Sequence, residues 1–85
     1  MPLTVNLVSA DQQVWSGEAA QVTARTTEGE IGILPGHQPV LAILASGQVR
    51  VRETGGGIVD ATAEDGFLSV ENDTVTIVAR NAALA

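Results

Sequence analysis

The chain of 85 residues contains no cysteine, and its only aromatic residues are Trp15 and Phe67. Without cysteine, neither a disulfide framework nor thiolate chemistry is available. With so few aromatic side chains, the core must be built mainly from Val, Ile, Leu and Ala. The longest uninterrupted apolar run is residues 40–45. That run is far shorter than the roughly 18 residues that a membrane-spanning helix needs.

Positive charge is also scarce, because four arginines and no lysine face ten acidic residues and give a net charge of −6. Binding to nucleic acid depends largely on neutralising phosphates with basic side chains, so the sequence predicts no nucleic-acid partner. An anionic membrane surface would repel the chain for the same reason. The excess of carboxylates serves solubility or favours a basic protein surface as a partner.

The length predicts a single domain over residues 1–85. A chain of this size buries roughly 60–65% of its unfolded surface, which is enough for one thin core. A deep active-site cleft is difficult to form in so small a domain.

Apolar and polar residues alternate through most of the chain, which is typical of β-strands with one buried face. Leu3, Val5 and Leu7 show this alternation near the start of the chain. The continuous apolar run at residues 40–45 fits either a buried strand or a short helix, and a buried strand is expected because the run is short and lies between a proline and a glycine. No amphipathic helix is predicted.

Turns are expected at sites rich in Gly, Asn, Asp and Ser, and a tail of small residues is expected at residues 81–85. The predicted turns are residues 11–13, 16–18, 46–47, 53–57, 64–66 and 71–73. They divide the chain into about eight to ten short strands. The predicted architecture is therefore all-β, either a sandwich of two packed sheets or a flattened barrel.

Special residues are concentrated in residues 28–39, which hold two of the three prolines, three glycines and the only histidine. Proline fixes its own backbone angle and glycine permits angles closed to other residues, so this stretch is predicted to be a shaped, rigid loop. Ile31 and Ile33 are expected to anchor it in the core, and Gly32 to allow a close backbone approach. The residues expected to set the shape of the loop are Gly29, Gly32, Pro35 and Gly36.

His37 is the only candidate for a catalytic histidine base or a histidine metal ligand. A catalytic triad needs a nucleophile next to that base, and the chain has no Gly-x-Ser-x-Gly elbow to supply one. A zinc site needs three or four Cys, His or carboxylate ligands, so carboxylates from distant strands would have to complete it. A loop histidine that bonds to the backbone or to solvent is the simpler interpretation.

Two pairs of carboxylates, Glu28 with Glu30 and Glu64 with Asp65, are candidates for acid–base chemistry. Such chemistry needs one carboxyl group with a raised pKa, and a raised pKa requires burial. Carboxylates beside turns in a small domain are usually exposed. The glycine spacings match neither the dinucleotide nor the P-loop pattern, so no nucleotide cofactor is predicted. Trp15 is interpreted as a core residue. Recognition of another protein by an exposed loop or sheet face is the function that remains.

Several stretches of the sequence resemble, in order and in spacing, the epsilon subunit of bacterial F-type ATP synthase. These stretches are residues 8–19, 26–41, 47–51, 65–70 and 72–79. The most specific part is Gly-Glu-Ile-Gly-Ile-Leu-Pro-Gly-His at residues 29–37. The segment Trp-Ser-Gly-Glu-Ala at residues 15–19 most resembles the corresponding segment of actinobacterial members of the family.

The resemblance implies a ten-stranded β-sandwich and a non-catalytic subunit in the central rotor stalk of the ATP synthase. There the domain would bind the gamma subunit and the membrane-embedded ring of c subunits, and would couple proton-driven rotation to ATP synthesis. No cofactor and no direct nucleotide binding are expected. The implied location is the cytoplasmic face of the plasma membrane, where the subunit is peripheral through the Fo sector.

The resemblance also implies partner contacts for individual residues. Glu28 and Glu30 would approach the polar loops of the c ring, whose arginines attract carboxylates. Ser9 and His37 would lie towards gamma, and Glu30 and His37 would share the loop at the foot of the domain. Most family members continue for about 45–50 residues as a two-helix hairpin. Without it, the chain is expected to be either a naturally short epsilon subunit or an excised N-terminal domain, and hairpin-based ATP sensing or inhibition is not carried over.

Two other functions remain open from the residues alone. One is a free-standing β-sandwich interaction module. The other is a small enzyme or ligand-binding domain that uses Glu30 and His37. A concave pocket containing both side chains would favour this last alternative.

Overall fold

The computed structural model describes residues 2–10 and 12–84. Regular structure in these residues is β-strand throughout, as predicted, and no helix among them could cross a membrane. The strands are β1 (Leu3–Ser9), β2 (Gln13–Thr26), β3 (Gly29–Ile33), β4 (Val40–Glu53), β5 (Ile58–Glu71) and β6 (Thr74–Leu84).

The strands form one six-stranded sheet in the order β1–β6–β5–β4–β2–β3, and a further pairing of β1 with β2 closes it into a barrel. β1 and β6 are parallel, whereas the other neighbouring strands are antiparallel. In the described part of the chain β3 pairs with β2 alone, so it lies outside the closed ring. The sequence predicted a sandwich of two packed sheets or a flattened barrel, and the described strands form a single sheet that closes into a barrel around the core.

The prediction of ten strands is wrong, because several expected turns are bends within long strands. Three such turns lie inside β2, β4 and β5: residues 16–18, 46–47 and 64–66. Ile43 is opposite Phe67 before the bend and Gly47 is opposite Ala63 after it, so β4 and β5 keep one register throughout. A bent strand can continue around a small barrel, whereas a turn would reverse the chain.

The other predicted turns have different outcomes. Residues 53–57 form the tip of the β4–β5 hairpin, where the Glu53 N–H donates to the Gly57 carbonyl over 2.8 Å. Asn72 and Asp73 connect β5 to β6. The turn at residues 11–13 includes Asp11, which lies outside the described residues, as does Ala85. The expected tail is instead part of β6, which continues to Leu84.

The core is aliphatic and receives side chains from every strand. Its largest fully buried members are Leu3, Leu7, Ile33, Leu68 and Ile77. Trp15 is half-buried and packs against this core, in agreement with its interpretation as a core residue. The alternation of buried and exposed residues explains why each strand has one outer face available for partners.

Candidate functional site

The chain leaves β3 through a tight turn that begins at Leu34. The N–H of His37 donates to the carbonyl oxygen of Leu34 over 3.1 Å. Pro35 supplies the fixed backbone angle of the second position, and Gly36 has a φ of 88°, which the third position of a type II turn requires. Proline and glycine thus determine the shape of this turn.

The β5–β6 hairpin holds this turn in place through Asp73. Its carboxylate Oδ1 accepts the N–H of Gly36 over 2.7 Å. Its main-chain carbonyl accepts the N–H of Thr4 over 2.8 Å. Asn72 and Asp73 adopt φ values of 49° and 58°, which Asn and Asp tolerate better than most residues. The sequence signals the turn, but it carries no sign of a contact that spans 37 residues.

Replacing Asp73 by glycine is expected to lower the free energy of unfolding by about 1 kcal/mol, because the Gly36 amide loses its acceptor. Glycine accommodates the positive φ, so the decrease in the free energy of unfolding is due to the missing carboxylate and not to backbone strain. Asp73→Asn retains an oxygen acceptor and is the matched control. Urea unfolding and hydrogen exchange of the Gly36 amide measure both variants. Equal protection of that amide in the two variants would contradict the role given to Asp73.

His37 is half-buried and its ring contacts the neighbouring main chain. The Nδ1 atom lies 2.7 Å from the carbonyl oxygen of Gln38. A carbonyl can only accept, so the contact requires a proton on Nδ1, and the neutral ring then presents Nε2 as an acceptor. Within residues 2–10 and 12–84, no hydrogen bond joins a hydroxyl to His37. The geometry offers no activated nucleophile at this ring.

Ser9 lies at the far end of β1 from the turn at His37. Its hydroxyl and its N–H both donate to the carbonyl of Gln12, over 3.2 and 2.9 Å. Thr4, at the start of β1, donates its N–H to Asp73, and Asp73 also binds Gly36 in the turn before His37. Ser9 stands about 16 Å further along the strand, given a rise of about 3.3 Å per residue. The structure therefore does not bring Ser9 and His37 together.

Glu30 is not in a loop, contrary to the sequence expectation, because β3 begins at Gly29. Glu30 is exposed and lies opposite Arg25 of β2, while His37 lies beyond the other end of β3. Proximity in sequence misled the prediction, since an extended strand separates residues by about 3.3 Å per position.

Glu28 lies in the short turn that joins β2 to β3 and is exposed. The hydroxyl of Thr26 organises this turn. It accepts the N–H of Glu28 over 3.2 Å and donates to the carbonyl of Gly29 over 2.7 Å. Glu28 and Glu30 are therefore presented together at the tip of the β2–β3 hairpin.

Gly32 lies within β3 and not in a loop, and the close backbone approach expected there is absent. A Cβ at this position would meet only Nε2 of Gln21, at the ordinary contact distance of 3.7 Å. Ile33 is fully buried, as expected, whereas Ile31 is half-buried against the core. One isoleucine, rather than two, places β3 firmly against the barrel.

A groove of about 360 Å³ runs between the β2–β3 hairpin and the first residues of β4. Its lining residues are Thr26, Thr27, Glu28, Gly29, Glu30, Ile31, Val40, Leu41, Ala42 and Ile43. His37 is not among them, so this groove does not combine Glu30 with the imidazole. In the portion of the chain described, no three His, Cys, Asp or Glu side chains are placed to hold a metal ion.

An apolar stripe, which the sequence analysis missed, crosses the outer faces of β4, β5, β6 and β1. Leu41 and Ile43 are 69% and 58% exposed, and Phe67 is 39% exposed. Register pairs Ile43 with Phe67, Phe67 with Val78, and Val78 with Val8. The run at residues 40–45 suggested burial on both faces, but only one face is covered. We call Val8, Leu41, Ile43, Phe67 and Val78 the apolar stripe.

The fold and these surfaces define a small all-β domain that offers exposed carboxylates and an exposed apolar stripe to other proteins. The model of the family described as ATP synthase, Delta/Epsilon chain, beta-sandwich domain, matches residues 2–85, and the chain belongs to that family. The family expected from the sequence motifs is therefore confirmed.

The chain is similar to several proteins named ATP synthase epsilon chain. It is 55% identical over 82 residues to that of Micrococcus luteus, covering 96% of this chain and 90% of the relative. It is 51% identical over 85 residues to that of Frankia casuarinae, covering 99% of each. For Streptomyces griseus the identity is 52%, over 98% of this chain and 67% of the relative.

Solved structures of ATP synthases contain chains with a similar fold. The mitochondrial ATP synthase of Euglena gracilis, as OSCP/F1/c-ring in rotational state 1, contains a chain with a TM-score of 0.91 and 29% identity. The match covers 98% of this chain and 53% of the Euglena chain, so this chain spans about half of that one. A chain in the Tetrahymena thermophila mitochondrial ATP synthase central stalk/c-ring structure has a TM-score of 0.79 and 20% identity. The match covers 96% of this chain and 66% of the Tetrahymena chain, and at this identity the likeness shows the fold alone.

Proposed function

We propose that the chain is a non-catalytic subunit of the central rotor stalk of ATP synthase. In this function it binds the gamma subunit and the c ring, and it couples proton-driven rotation to ATP synthesis. Family membership over residues 2–85 is the observation that carries the proposal. The names of the relatives and the assembly in which the Euglena chain occurs support it. Residues 1–85 would act as one epsilon-type β-sandwich domain.

The proposed location is the cytoplasmic face of the plasma membrane. The ATP synthase is a membrane-associated complex, and the chain would be peripheral to the membrane through the Fo sector. A net charge of −6 disfavours direct contact with anionic lipid, so attachment through protein partners is the consistent arrangement.

Glu28 and Glu30 are proposed to contact the c ring. Both carboxylates are exposed at the β2–β3 hairpin tip, where they need little desolvation before they meet a basic loop. Charges at the rim of an interface set orientation and association rate more than affinity. The hairpin would therefore position the domain on the ring, while contacts elsewhere supply most of the binding energy.

Gamma is proposed to contact His37, Ser9 and the apolar stripe between them. His37 and Ser9 are separated by the length of β1, so one partner must span the intervening surface to reach both. The stripe provides most of it, since Leu41 follows closely after His37 and Val8 lies at the same end of β1 as Ser9. Burial of exposed aliphatic and aromatic side chains is the main favourable term in such an interface.

The variant Glu30→Lys is expected to reduce proton-driven ATP synthesis several-fold in the assembled enzyme, because a cation replaces the carboxylate offered to the c ring. Its unfolding free energy should change by under about 0.5 kcal/mol, since the side chain is exposed. ATP synthesis by inverted membrane vesicles and urea unfolding of the isolated chain are the two measurements.

Glu64→Lys is the matched control, because Glu64 is also an exposed carboxylate but lies at the bend of β5. ATP synthesis should be unchanged in this variant. An equal loss in both variants would assign the effect to net charge and contradict a contact at Glu30. Unfolding of the Glu30 variant would instead show that Glu30 supports the fold.

A further inference from the structure

Positive charge is concentrated on one outer face of the sheet. Three of the four arginines, Arg25, Arg50 and Arg52, are exposed on β2 and β4. Their neighbours Val22, Ala24, Val49 and Val51 point into the core, so alternation directs the arginines to the same outer surface. We call Arg25, Arg50 and Arg52 the arginine face.

The charge of this face contrasts with the rest of the chain. Two carboxylates share it, because Glu30 is opposite Arg25 and Asp60 is opposite Arg50. With three arginines the face has a formal charge of +1, so a chain total of −6 leaves −7 for the remainder. A negatively charged partner is therefore attracted to this face and repelled by most of the remaining surface.

Arg50 is held in place by the one ion pair in residues 2–10 and 12–84. Its Nε donates to Oδ1 of Asp60 over 2.8 Å, and this hydrogen bond, together with the charge of Asp60, raises the pKa of Arg50. A guanidinium has five N–H donors, so the terminal nitrogens stay available for a second carboxylate. The stem of Arg25 lies over Gly47, where a Cβ would meet its Cδ at 3.5 Å. Two of the three arginines are thus positioned before any partner arrives.

The arrangement fits an extended acidic peptide better than a small anion. Arg50 and Arg52 lie two residues apart on β4, about 6.6 Å at a strand rise of about 3.3 Å. Carboxylates at alternate positions of an extended segment have the same spacing. A phosphate-sized anion is usually held by converging backbone N–H groups. Here β2 and β4 are paired with neighbouring strands on both sides, so their backbone N–H groups are engaged in the sheet and do not converge on an anion.

We propose that the arginine face docks an extended acidic segment of a partner protein, with carboxylates at alternate positions facing Arg50 and Arg52 and a further carboxylate reaching Arg25. Arginine forms paired N–H bonds to carboxylates, which adds directional preference to the attraction. This surface lies apart from the apolar stripe and shares only Glu30 with the hairpin tip. The inference rests on the three arginines, so it does not depend on the proposed function.

The test uses the full chain and a fluorescein-labelled synthetic peptide of eight residues in which Glu and Thr alternate. Fluorescence anisotropy at low salt is expected to show binding that weakens as salt rises. The single variant Arg52→Gln should bind at least about fivefold more weakly. Arg80→Gln removes a positive charge from β6 and is the matched control, which should keep the affinity of the parent chain. Urea unfolding of each variant verifies the fold.

Three results would overturn the proposal. One is that Arg80→Gln weakens peptide binding as much as the arginine-face variant does, which would show that binding depends only on the net charge of the chain. Another is binding of the corresponding Lys-Thr peptide with the same affinity. The third is a competition experiment in which pyrophosphate or a short oligothymidylate displaces the labelled peptide at a lower concentration than unlabelled peptide does. That result would show that the arginine face prefers phosphate groups to carboxylates.

Discussion

Replacing Gly66 by alanine is expected to lower the free energy of unfolding by about 3 kcal/mol, the upper end of the usual range for overpacking. A Cβ at this position would lie 1.8 Å from the carbonyl oxygen of Val78 and 2.5 Å from Cα of Ala79. Both atoms belong to the backbone of β6, so no side-chain rotation can relieve the contact. Strands β5 and β6 would have to separate at their bend.

The expected loss is a large fraction of the stability of a domain of this size, which is roughly 4–13 kcal/mol in total. Urea unfolding followed by the fluorescence of Trp15 measures it. Gly55→Ala is the control, because a Cβ at Gly55 meets nothing within 4 Å. If the Gly66 variant unfolded at the same urea concentration as the Gly55 variant, the close approach of β5 to β6 would be contradicted.

Replacing Ile33 by alanine is expected to cost about 2–4 kcal/mol, within the range for deleting a buried aliphatic side chain. Ile33 is 0% exposed, and it is the fully buried side chain of β3. β3 pairs with β2 alone in the described part of the chain, so packing must supply what a second neighbouring strand would otherwise provide. Amides of β3 and of the turn at Gly36 should therefore exchange faster in this variant.

Ile31→Ala removes the same atoms from a half-buried position of the same strand and is the matched comparison. Its expected cost is under about 1.5 kcal/mol, because part of the side chain is already in water. Urea unfolding and hydrogen exchange compare the two variants. Equal losses at both positions would show that β3 is not anchored chiefly through Ile33.

The strands were predictable because alternation reports directly which side chains are buried. Leu3, Val5 and Leu7 were expected to share a buried face and do so. The number of strands was not predictable, because a bend inside a strand uses the same Gly and Asp signals as a turn. At Asp65, with a φ of 56°, only the continued pairing of Glu64 with Asn81 distinguishes the two.

The candidate surfaces were predictable in composition but not in placement. Glu30 and His37 were expected to share a loop, yet the intervening residues form β3 and keep them apart. The apolar stripe escaped prediction because burial on one face or on both cannot be read from a continuous apolar run. Its exposure depends on which residues of β5 and β6 stand beside Ile43, and only the register supplies that information.

The parallel pairing of β1 with β6 has a consequence for the order in which the chain folds. β1 is synthesised before the other described strands, and its edge away from β2 has no neighbour until β6 has been synthesised. Contacts so distant in sequence slow folding, because the intervening chain must be ordered before they form. The ring therefore cannot close before β6 has left the ribosome.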